Sequence, residues 1–304
     1  MIKVQNISKS YKNVQALKDV SFEVNKGELF GLIGPDGAGK TTLMRILITL
    51  LVPDKGSARM AELDVLKDYR KIRQIVGYMP GRFSLYQDLT VEENLEFFAT
   101  VFGTTIAENY ELIRDIYVQI EPFKSRPAGK LSGGMNQKLA LSCALIHKPE
   151  ILVLDEPTTG VDAVSRKEFW EMLRKLQKQG ITILVSTPYM DEAGLCDRVA
   201  LMQKGEILAI DSPSRIVESY RHQLLAVRSD QMYQLICDLR QWEKTNTVYA
   251  FGQFLHFTSK DDDVEAVDLE RYLLEKDHGQ LQSIEIAPGI EDVFMDLMSG
   301  SNES

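Results

Sequence analysis

The sequence has few cysteines, no long apolar run and no excess of basic side chains, and each absence excludes a class of protein. The three cysteines, Cys143, Cys196 and Cys237, lie far apart and form no CxxC pair. Neither a disulfide scaffold nor a cysteine zinc site is therefore expected, and a reduced, cytosolic setting is predicted. The longest uncharged apolar run, Ile46 to Val52, is far shorter than the roughly 20 residues of a membrane-spanning helix.

The acidic charge is concentrated in the last third of the chain. The net charge is −9, and residues 1–214 carry 27 basic and 27 acidic side chains, whereas residues 215–304 carry 8 and 17. A nucleic-acid-binding protein usually presents a basic stripe, and the sequence shows none. We therefore expect no nucleic-acid partner. A length of 304 residues predicts about two domains.

The first part of the chain alternates short apolar strands with helical patterns. Leu29–Ile33 is a continuous apolar run, and Ile151–Leu154 and Ile181–Val185 are apolar on both faces, as buried parallel strands are. Val164–Gln179 carries apolar residues at helical spacing between the last two of these strands. Strand, crossover helix and strand predict an α/β fold with a mainly parallel, doubly wound sheet. The opening segments predict an antiparallel flap beside it.

A different pattern begins after the turn at Pro213. The predicted elements are strand Leu224–Val227, helix Gln231–Leu239, strands Val248–Phe251 and Phe254–Phe257, helix Val264–Leu274, strand Gln282–Ile286 and helix Ile290–Met298. This order, βαββαβ plus a helix, is typical of a small α+β ferredoxin-like domain. We therefore predict domains at 1–218 and 219–304.

A glycine-rich segment follows the strand Leu29–Ile33 and precedes a helical pattern. Its residues are Gly34, Pro35, Asp36, Gly37, Ala38, Gly39, Lys40 and Thr41, which fit GxxxxGK[ST] in full. Such a loop presents backbone N–H groups to a phosphate, and the helix start adds partial positive charge. Lys40 is predicted to reach the outer phosphates, with Thr42 beside them, and the Thr41 hydroxyl to bind Mg²⁺. Asp36 is expected to point away from the phosphates, because a carboxylate there would repel them.

A second acidic element indicates nucleotide hydrolysis. The apolar strand Ile151–Leu154 delivers Asp155 and Glu156 at its carboxyl end. Asp155 is predicted to hold Mg²⁺, and Glu156 to polarise the attacking water as a catalytic residue together with Lys40.

Further motifs resemble those of ABC ATPases, and they occur in the order of that family. Leu131-Ser132-Gly133-Gly134-Met135 resembles the LSGGQ signature, Thr159-Gly160-Val161-Asp162 the D-loop, and Tyr11 the aromatic residue on which adenine stacks. The ending Pro288-Gly289-Ile290-Glu291-Asp292-Val293-Phe294 is similar to that of ATP-binding subunits of ABC-2-type exporters. The resemblance covers about residues 1–220 and implies a P-loop ATPase fold, with a helical subdomain at about 84–148.

The resemblance also implies ligands and partners. ATP and Mg²⁺ are the expected cofactors. Ser132, Gly133, Gly134 and Asp162 would contact the ATP held by an opposite chain, so a head-to-tail dimer is expected, either of two identical chains or with a related ATPase chain. An integral membrane permease is the expected partner, at the cytoplasmic face of the membrane. Phe83, Leu85 and Tyr86 are candidates for its docking groove, with core packing an equal alternative.

Three positions depart from the family pattern. Gly81 replaces the Q-loop glutamine, Pro188 replaces the switch histidine, and Met135 replaces a polar signature residue. We predict a chain that binds MgATP and dimerises but hydrolyses slowly. The alternative is a nucleotide-gated module that hydrolyses almost nothing without an intact partner. A DNA-repair or ribosome-associated ATPase is disfavoured, since the sequence has no long coiled-coil insertion and no second cassette. Pro188 is also expected to begin the next helix.

Overall fold

The computed structural model describes residues 1–81, 85–261 and 266–300. Within those ranges, every helix falls short of the length and apolar character needed to cross a membrane.

The chain divides into two compact units, Met1–Pro213 and Ser214–Ser304. The predicted domain limits, 1–218 and 219–304, lie slightly further along the chain and stay predictions. The short helix α7 (Pro213–Glu218) begins where the first unit ends.

An antiparallel sheet of the first unit contains the predicted flap. Its order is β2-β1-β4-β5, with β1 (Ile2–Tyr11), β2 (Val14–Val24), β4 (Lys55–Met60) and β5 (Leu63–Asp64). Buried and exposed residues largely alternate along β1 and β2, as expected of a sheet with one solvated face. The predicted flap is therefore confirmed, and its strands are longer than predicted.

The central sheet of the first unit is mainly parallel. Its strands, in spatial order, are β10 (Glu206–Asp211), β9 (Arg198–Gln203), β3 (Leu29–Ile33), β8 (Thr182–Thr187), β7 (Ile151–Asp155) and β6 (Val76–Met79). Only β10 pairs antiparallel to its neighbour. Every residue of β3, β7 and β8 is buried. The carboxyl ends of these three strands consequently meet at one edge of the sheet, where ligands bind in such folds.

One strand prediction at this sheet needs correction. The segment Gln74–Tyr78 is not all strand, because Gln74 and Ile75 end the helix α2 (Tyr69–Ile75). The strand starts at Val76, where pairing with Ile151 of β7 begins.

Helices surround the central sheet. They are α1 (Lys40–Leu47), α2, α3 (Val91–Val101), α4 (Ile106–Tyr117), α5 (Gly133–Leu145) and α6 (Ala163–Lys178). Thr90 caps α3 and Thr105 caps α4, each in a capping box with a glutamate three residues later, which fixes where these helices start. Helices α3, α4 and α5 contact one another and lie within the predicted helical subdomain.

The second unit has the predicted ferredoxin-like order. Its elements are β11 (Leu225–Arg228), α8 (Met232–Gln241), β12 (Thr245–Phe251), β13 (Phe254–Ser259), α9 (Ala266–Leu274), β14 (Gln282–Glu285) and α10 (Ile290–Gly300). The sheet order is β12-β13-β11-β14, and every neighbouring pair is antiparallel. Asp292 accepts a hydrogen bond from the backbone N–H of Gly289 at 2.7 Å and contacts His256 Nδ1 at 2.6 Å. The acidic residue of the chain ending thus fixes the start of α10.

Candidate functional site

The glycine-rich loop joins β3 to α1 and turns back on itself. Gly39 has φ +105°, and a Cβ on it would lie 2.5 Å from the carbonyl oxygen of Ala16, so only glycine fits without strain. Lys40 is buried, and its Nζ donates to the carbonyl oxygens of Gly34 at 2.7 Å and Pro35 at 3.0 Å. The ammonium group is therefore held inside the loop.

Asp155 meets this loop from the end of β7. Its Oδ1 accepts hydrogen bonds from the Thr41 hydroxyl at 3.0 Å and from the Ser186 hydroxyl at 2.8 Å. Asp155 and Ser186 are register partners in β7 and β8, so adjacent strand ends place both groups opposite the loop. Thr41 and Asp155, the predicted Mg²⁺ ligands, offer a hydroxyl and a carboxylate oxygen, the hard donors that Mg²⁺ prefers. The donor set fits that ion.

Glu156 adopts a backbone conformation that is unusual for a residue with a side chain. Its φ is +50°, a left-handed conformation that non-glycine residues adopt only when their surroundings enforce it. Here its backbone N–H donates to the Ser186 carbonyl at 3.1 Å and hydroxyl at 3.0 Å. Its carboxylate lies 3.2 Å from Lys40 Nζ. The two predicted catalytic residues therefore form an ion pair.

A cleft of about 610 Å³ opens beside the loop. Its lining includes Tyr11, Asn13, Val14, Gln15, Ala16, Lys18, Gly37, Ala38, Gly39, Lys40, Thr41, Thr42 and Lys204. The ring of Tyr11 is exposed, so it is available to stack on a nucleobase. Asp36 is exposed and is not among the described residues that line this cleft; its orientation relative to a phosphate stays a prediction.

The signature residues are not among those that line this cleft in the described structure. Ser132 caps α5, and its hydroxyl accepts from the Met135 N–H at 3.4 Å. A Cβ on Gly134 would lie 2.7 Å from the Ser165 hydroxyl of α6, so glycine permits the close approach of the two helices. Gly133 lies beside it in the first turn of α5.

The D-loop ends at a helix cap. Oδ1 of Asp162 accepts from the N–H groups of Val164 at 3.1 Å and Ser165 at 3.0 Å. These hydrogen bonds, that of Ser165 above all, hold the pKa of Asp162 below its usual value. Its structural role in one chain is to begin α6, and its contact with nucleotide stays a prediction.

The Q-loop glycine packs directly against the acidic strand end. A Cβ on Gly81 would lie 2.9 Å from the Asp155 carbonyl oxygen. A small cavity of about 50 Å³ lies between Gly81, Glu156 and Gln137 of α5. The Gln137 side-chain amide donates to the Pro157 carbonyl. Burial, together with the nearby Asp155 carboxylate, raises the pKa of Tyr78 to about 12, so this Q-loop strand residue stays neutral.

The helix expected to begin at Pro188 starts two residues later. It is a 3₁₀ helix, Met190–Leu195. The Thr187 hydroxyl accepts from the Tyr189 N–H at 3.1 Å, and the Gly34 N–H donates to the Thr187 carbonyl at 3.3 Å. Pro188 therefore follows directly on a residue whose backbone contacts the phosphate loop.

Sequence reasoning missed two polar groups of this site. Ser186 bonds both acidic residues, and its signal is a serine at the end of a strand that neighbours β7. Gln137 reaches Pro157 across 20 residues of sequence, and its only signal is a position on the inner face of α5.

Comparison with known proteins identifies the family. The ABC transporter family model matches residues 17–159. The Nod factor export ATP-binding protein I of Rhizobium sp. (strain N33) is 34% identical over 300 residues, covering 97% of this chain and 96% of that protein. The probable multidrug ABC transporter ATP-binding protein YbhF of Escherichia coli (strain K12) is 37% identical over 95% of this chain, which spans half of its length.

Similar solved structures support the same family assignment. The dimeric ATP-binding cassette MJ0796, in a post-hydrolysis state with ADP and Pi, matches with a TM-score of 0.63 and 27% identity over 70% of this chain and 98% of that one. An ATP-binding subunit of an ABC transporter matches with a TM-score of 0.65 and 28% identity over 72% and 92%. The chain therefore belongs to the ABC transporter family, as an ATP-binding subunit with the α/β fold of P-loop nucleotide hydrolases.

Proposed function

We propose that the chain is the energy-coupling subunit of an ABC-2-type exporter, binding and hydrolysing MgATP in a head-to-tail dimer. The observation that carries this proposal is a pair of adjacent contacts. Lys40 forms an ion pair with Glu156 at 3.2 Å, and the Thr41 hydroxyl donates a hydrogen bond to Asp155 at 3.0 Å. A cation, a hydroxyl and two carboxylates thus converge at the start of a helix. This is the set of groups that phosphoryl transfer to water uses.

The ion pair between Lys40 and Glu156 explains how binding prepares hydrolysis. The outer phosphates of ATP compete for the Lys40 ammonium, with the loop N–H groups as further donors. Glu156 then loses its cation and becomes free to accept a proton from the attacking water. Thr41 and Asp155 would hold Mg²⁺, which neutralises phosphate charge when bound. Ser186 orients the Asp155 carboxylate and holds the backbone of Glu156 through its N–H group.

The opposite chain completes the site. Ser132 and the N–H groups at the start of α5 are outside the cleft of their own chain, and a helix start attracts phosphate. We therefore propose that Ser132, Gly133 and Gly134 contact the ATP bound by a second copy or a related chain. The structural relative MJ0796 is a dimer in its post-hydrolysis state, which supports this arrangement.

Hydrolysis is proposed to be slow. Pro188 has neither a donor nor a titratable group, and Gly81 has no side chain. Losing one preorganised contact with developing charge lowers the rate about 10²–10³-fold. When two contacts act together, the losses in rate from removing each need not multiply. The alternative, a binding module that hydrolyses almost nothing, is favoured by the same two residues and opposed by the placement of Glu156. Measuring ATP affinity and turnover on one sample distinguishes them.

We propose a membrane permease as the partner, docking a short helix into an apolar groove of about 370 Å³ between α3, α5 and β6. Leu50 and Val101, which line it, are 60% and 61% exposed. Of the candidates from sequence, Phe83 lies outside the described residues. Leu85 is buried and packs as core, and Tyr86 is exposed and makes an edge-to-face contact with Phe97.

The docking proposal is tested with a charge in the groove. Val101→Glu should move the chain from the membrane fraction to the soluble fraction when it is added to host membranes stripped of their own copy. Val267→Glu on α9 is the matched control, because Val267 is equally exposed at 59% and lies in the second unit. Equal membrane binding by both variants would rule out the groove.

The hydrolytic function is tested by Glu156→Gln. The variant should bind MgATP within about threefold of the wild type while single-turnover hydrolysis falls by about 10² or more. Unchanged hydrolysis would contradict the role of Glu156.

A further inference from the structure

Glu192 is a carboxylate buried next to the site described above. It lies in the 3₁₀ helix Met190–Leu195 and is only 3% exposed. Burying an ionised carboxylate is costly unless hydrogen bonds or a cation compensate it. The contacts of Glu192 therefore show what this side chain stabilises.

One oxygen of Glu192 joins the loop after β7 to the last residue of β8. Its Oε2 accepts from the Thr158 hydroxyl at 3.1 Å and from the Thr187 hydroxyl at 2.5 Å. Thr158 follows Glu156 by two residues, and Thr187 directly precedes Pro188. Strands β7 and β8 are neighbours, and Ser186 already bonds Asp155 and Glu156 there. Glu192 adds a second link, at the residue two positions after Glu156 and at the residue directly after Ser186.

The other oxygen faces a cation. Oε1 has no hydrogen-bond partner among the described residues, and the nearest guanidinium nitrogen, Arg166 Nη1, is 4.0 Å away. The Arg166 guanidinium stacks over the Tyr189 ring at 4.7 Å. Arg166 belongs to α6, so the charge of Glu192 is balanced from the helix that begins at the D-loop.

We propose that Glu192 is a positioning residue for ATP hydrolysis: it holds the turn after Glu156 and the turn at Pro188 in one fixed arrangement. Because proline offers no side-chain donor, the described side-chain hydrogen bonds of the Pro188 turn come from Thr187 and Glu192. This inference rests on the proposed function, since positioning matters only if Glu156 acts on water. Among the described contacts, Glu192 touches neither the phosphate loop nor the residues that line the cleft beside it.

The test compares Glu192→Ala, which removes both hydrogen bonds, with Glu192→Gln, which keeps an acceptor of the same shape. Glu192→Ala should lower single-turnover hydrolysis about tenfold or more, since it removes two bonds to a charged group. MgATP affinity should stay within about threefold. Glu192→Gln should restore most of the rate. Glu171→Ala, on the exposed side of α6, is the control and should match the wild type.

Two threonine variants test the same hydrogen bonds in case Glu192→Ala does not fold. Thr158→Val and Thr187→Val each remove one hydroxyl, and each should lower the rate. Combining Thr158→Val with Glu192→Ala should cost no more than Glu192→Ala alone, because both remove the same bond. Full additivity, or wild-type rates in all these variants, would overturn the proposal.

Hydrogen exchange gives a reading that does not require hydrolysis. Glu192→Ala should speed amide exchange in residues 157–160 and in residues 187–190 together. Unchanged amide exchange in either segment would contradict the proposal that Glu192 holds the two segments together. A wild-type chain that binds ATP but never hydrolyses it would contradict the proposed function alone, while exchange still decides the role of Glu192.

Discussion

Replacing Pro188 with histidine should accelerate ATP hydrolysis. The Gly34 N–H donates to the Thr187 carbonyl at 3.3 Å, so the side chain of residue 188 starts beside the phosphate loop. An imidazole there supplies a donor toward the charge that develops on the outer phosphate, which is worth about 10²–10³ in rate. A gain of this order is the expected result for Pro188→His.

Gly81→Gln, unlike Pro188→His, is not expected to accelerate hydrolysis. A Cβ at this position lies 2.9 Å from the Asp155 carbonyl oxygen, and that oxygen is backbone and cannot move away cheaply. Such overpacking costs about 1–3 kcal/mol and displaces the strand end that carries both acidic residues. Gly81→Gln alone should therefore lower the melting temperature and fail to raise turnover. Gly81→Ala should lower the melting temperature similarly, since the clash arises at Cβ.

The assay is single-turnover hydrolysis at saturating MgATP, with affinity measured on the same samples. Pro188→Ala is the control, because it removes the ring without adding a donor. Pro188→His should exceed Pro188→Ala by about 10² or more, and the two should bind MgATP alike. If the histidine and alanine variants hydrolyse at the same rate, the loss of a donor at residue 188 does not explain slow turnover.

Three further predictions concern the stability of the folded chain, and the first of them also concerns turnover. Ser186→Ala should lower both turnover and the free energy of unfolding, the latter by about 1–3 kcal/mol in urea, since Asp155 loses a hydrogen bond; an unchanged midpoint would refute this. Burial lowers the pKa of His147 below 6.5, so its protonation favours the unfolded chain and stability falls as pH drops below that value. The melting temperature of His147→Phe should therefore fall less than that of the wild type between pH 7.5 and 5.5. Equal falls in melting temperature would contradict this role of His147. Asp238→Ala should destabilise the second unit by about 1–3 kcal/mol, as it leaves His278 Nε2, now 2.9 Å from the carboxylate, buried without a partner; chemical denaturation followed by circular dichroism measures this.

The parts of the site that lie close together in sequence were predictable. A phosphate needs consecutive N–H groups, a lysine and a hydroxyl at the start of a helix, and these residues stand together from Gly34 to Thr41. The strand before Asp155 and Glu156 was equally visible, because every residue of it is apolar. The ferredoxin-like order of the second unit followed from its alternating elements.

The parts made by distant residues were not predictable. Ser186 and Glu192 act through partners about 30 residues away, at Asp155 and Thr158, and a serine or glutamate alone does not disclose such partners. Leu85 was a candidate for the docking surface but is buried, because burial depends on which helices pack over it. The helix expected at Pro188 begins at Met190, since Thr187 uses its hydroxyl to bond Glu192 and the Tyr189 N–H.

The molar mass of the chain with MgATP shows directly whether two chains close on nucleotide. Sedimentation velocity of the Glu156→Gln variant should show a dimer with MgATP and a monomer without it, and adding Ser132→Glu should abolish the dimer while each monomer still binds ATP. The acid would repel the phosphate of the opposite chain, whereas the loop around Lys40 is untouched. A dimer that persists with Ser132→Glu would contradict the claim that two chains close on shared nucleotides.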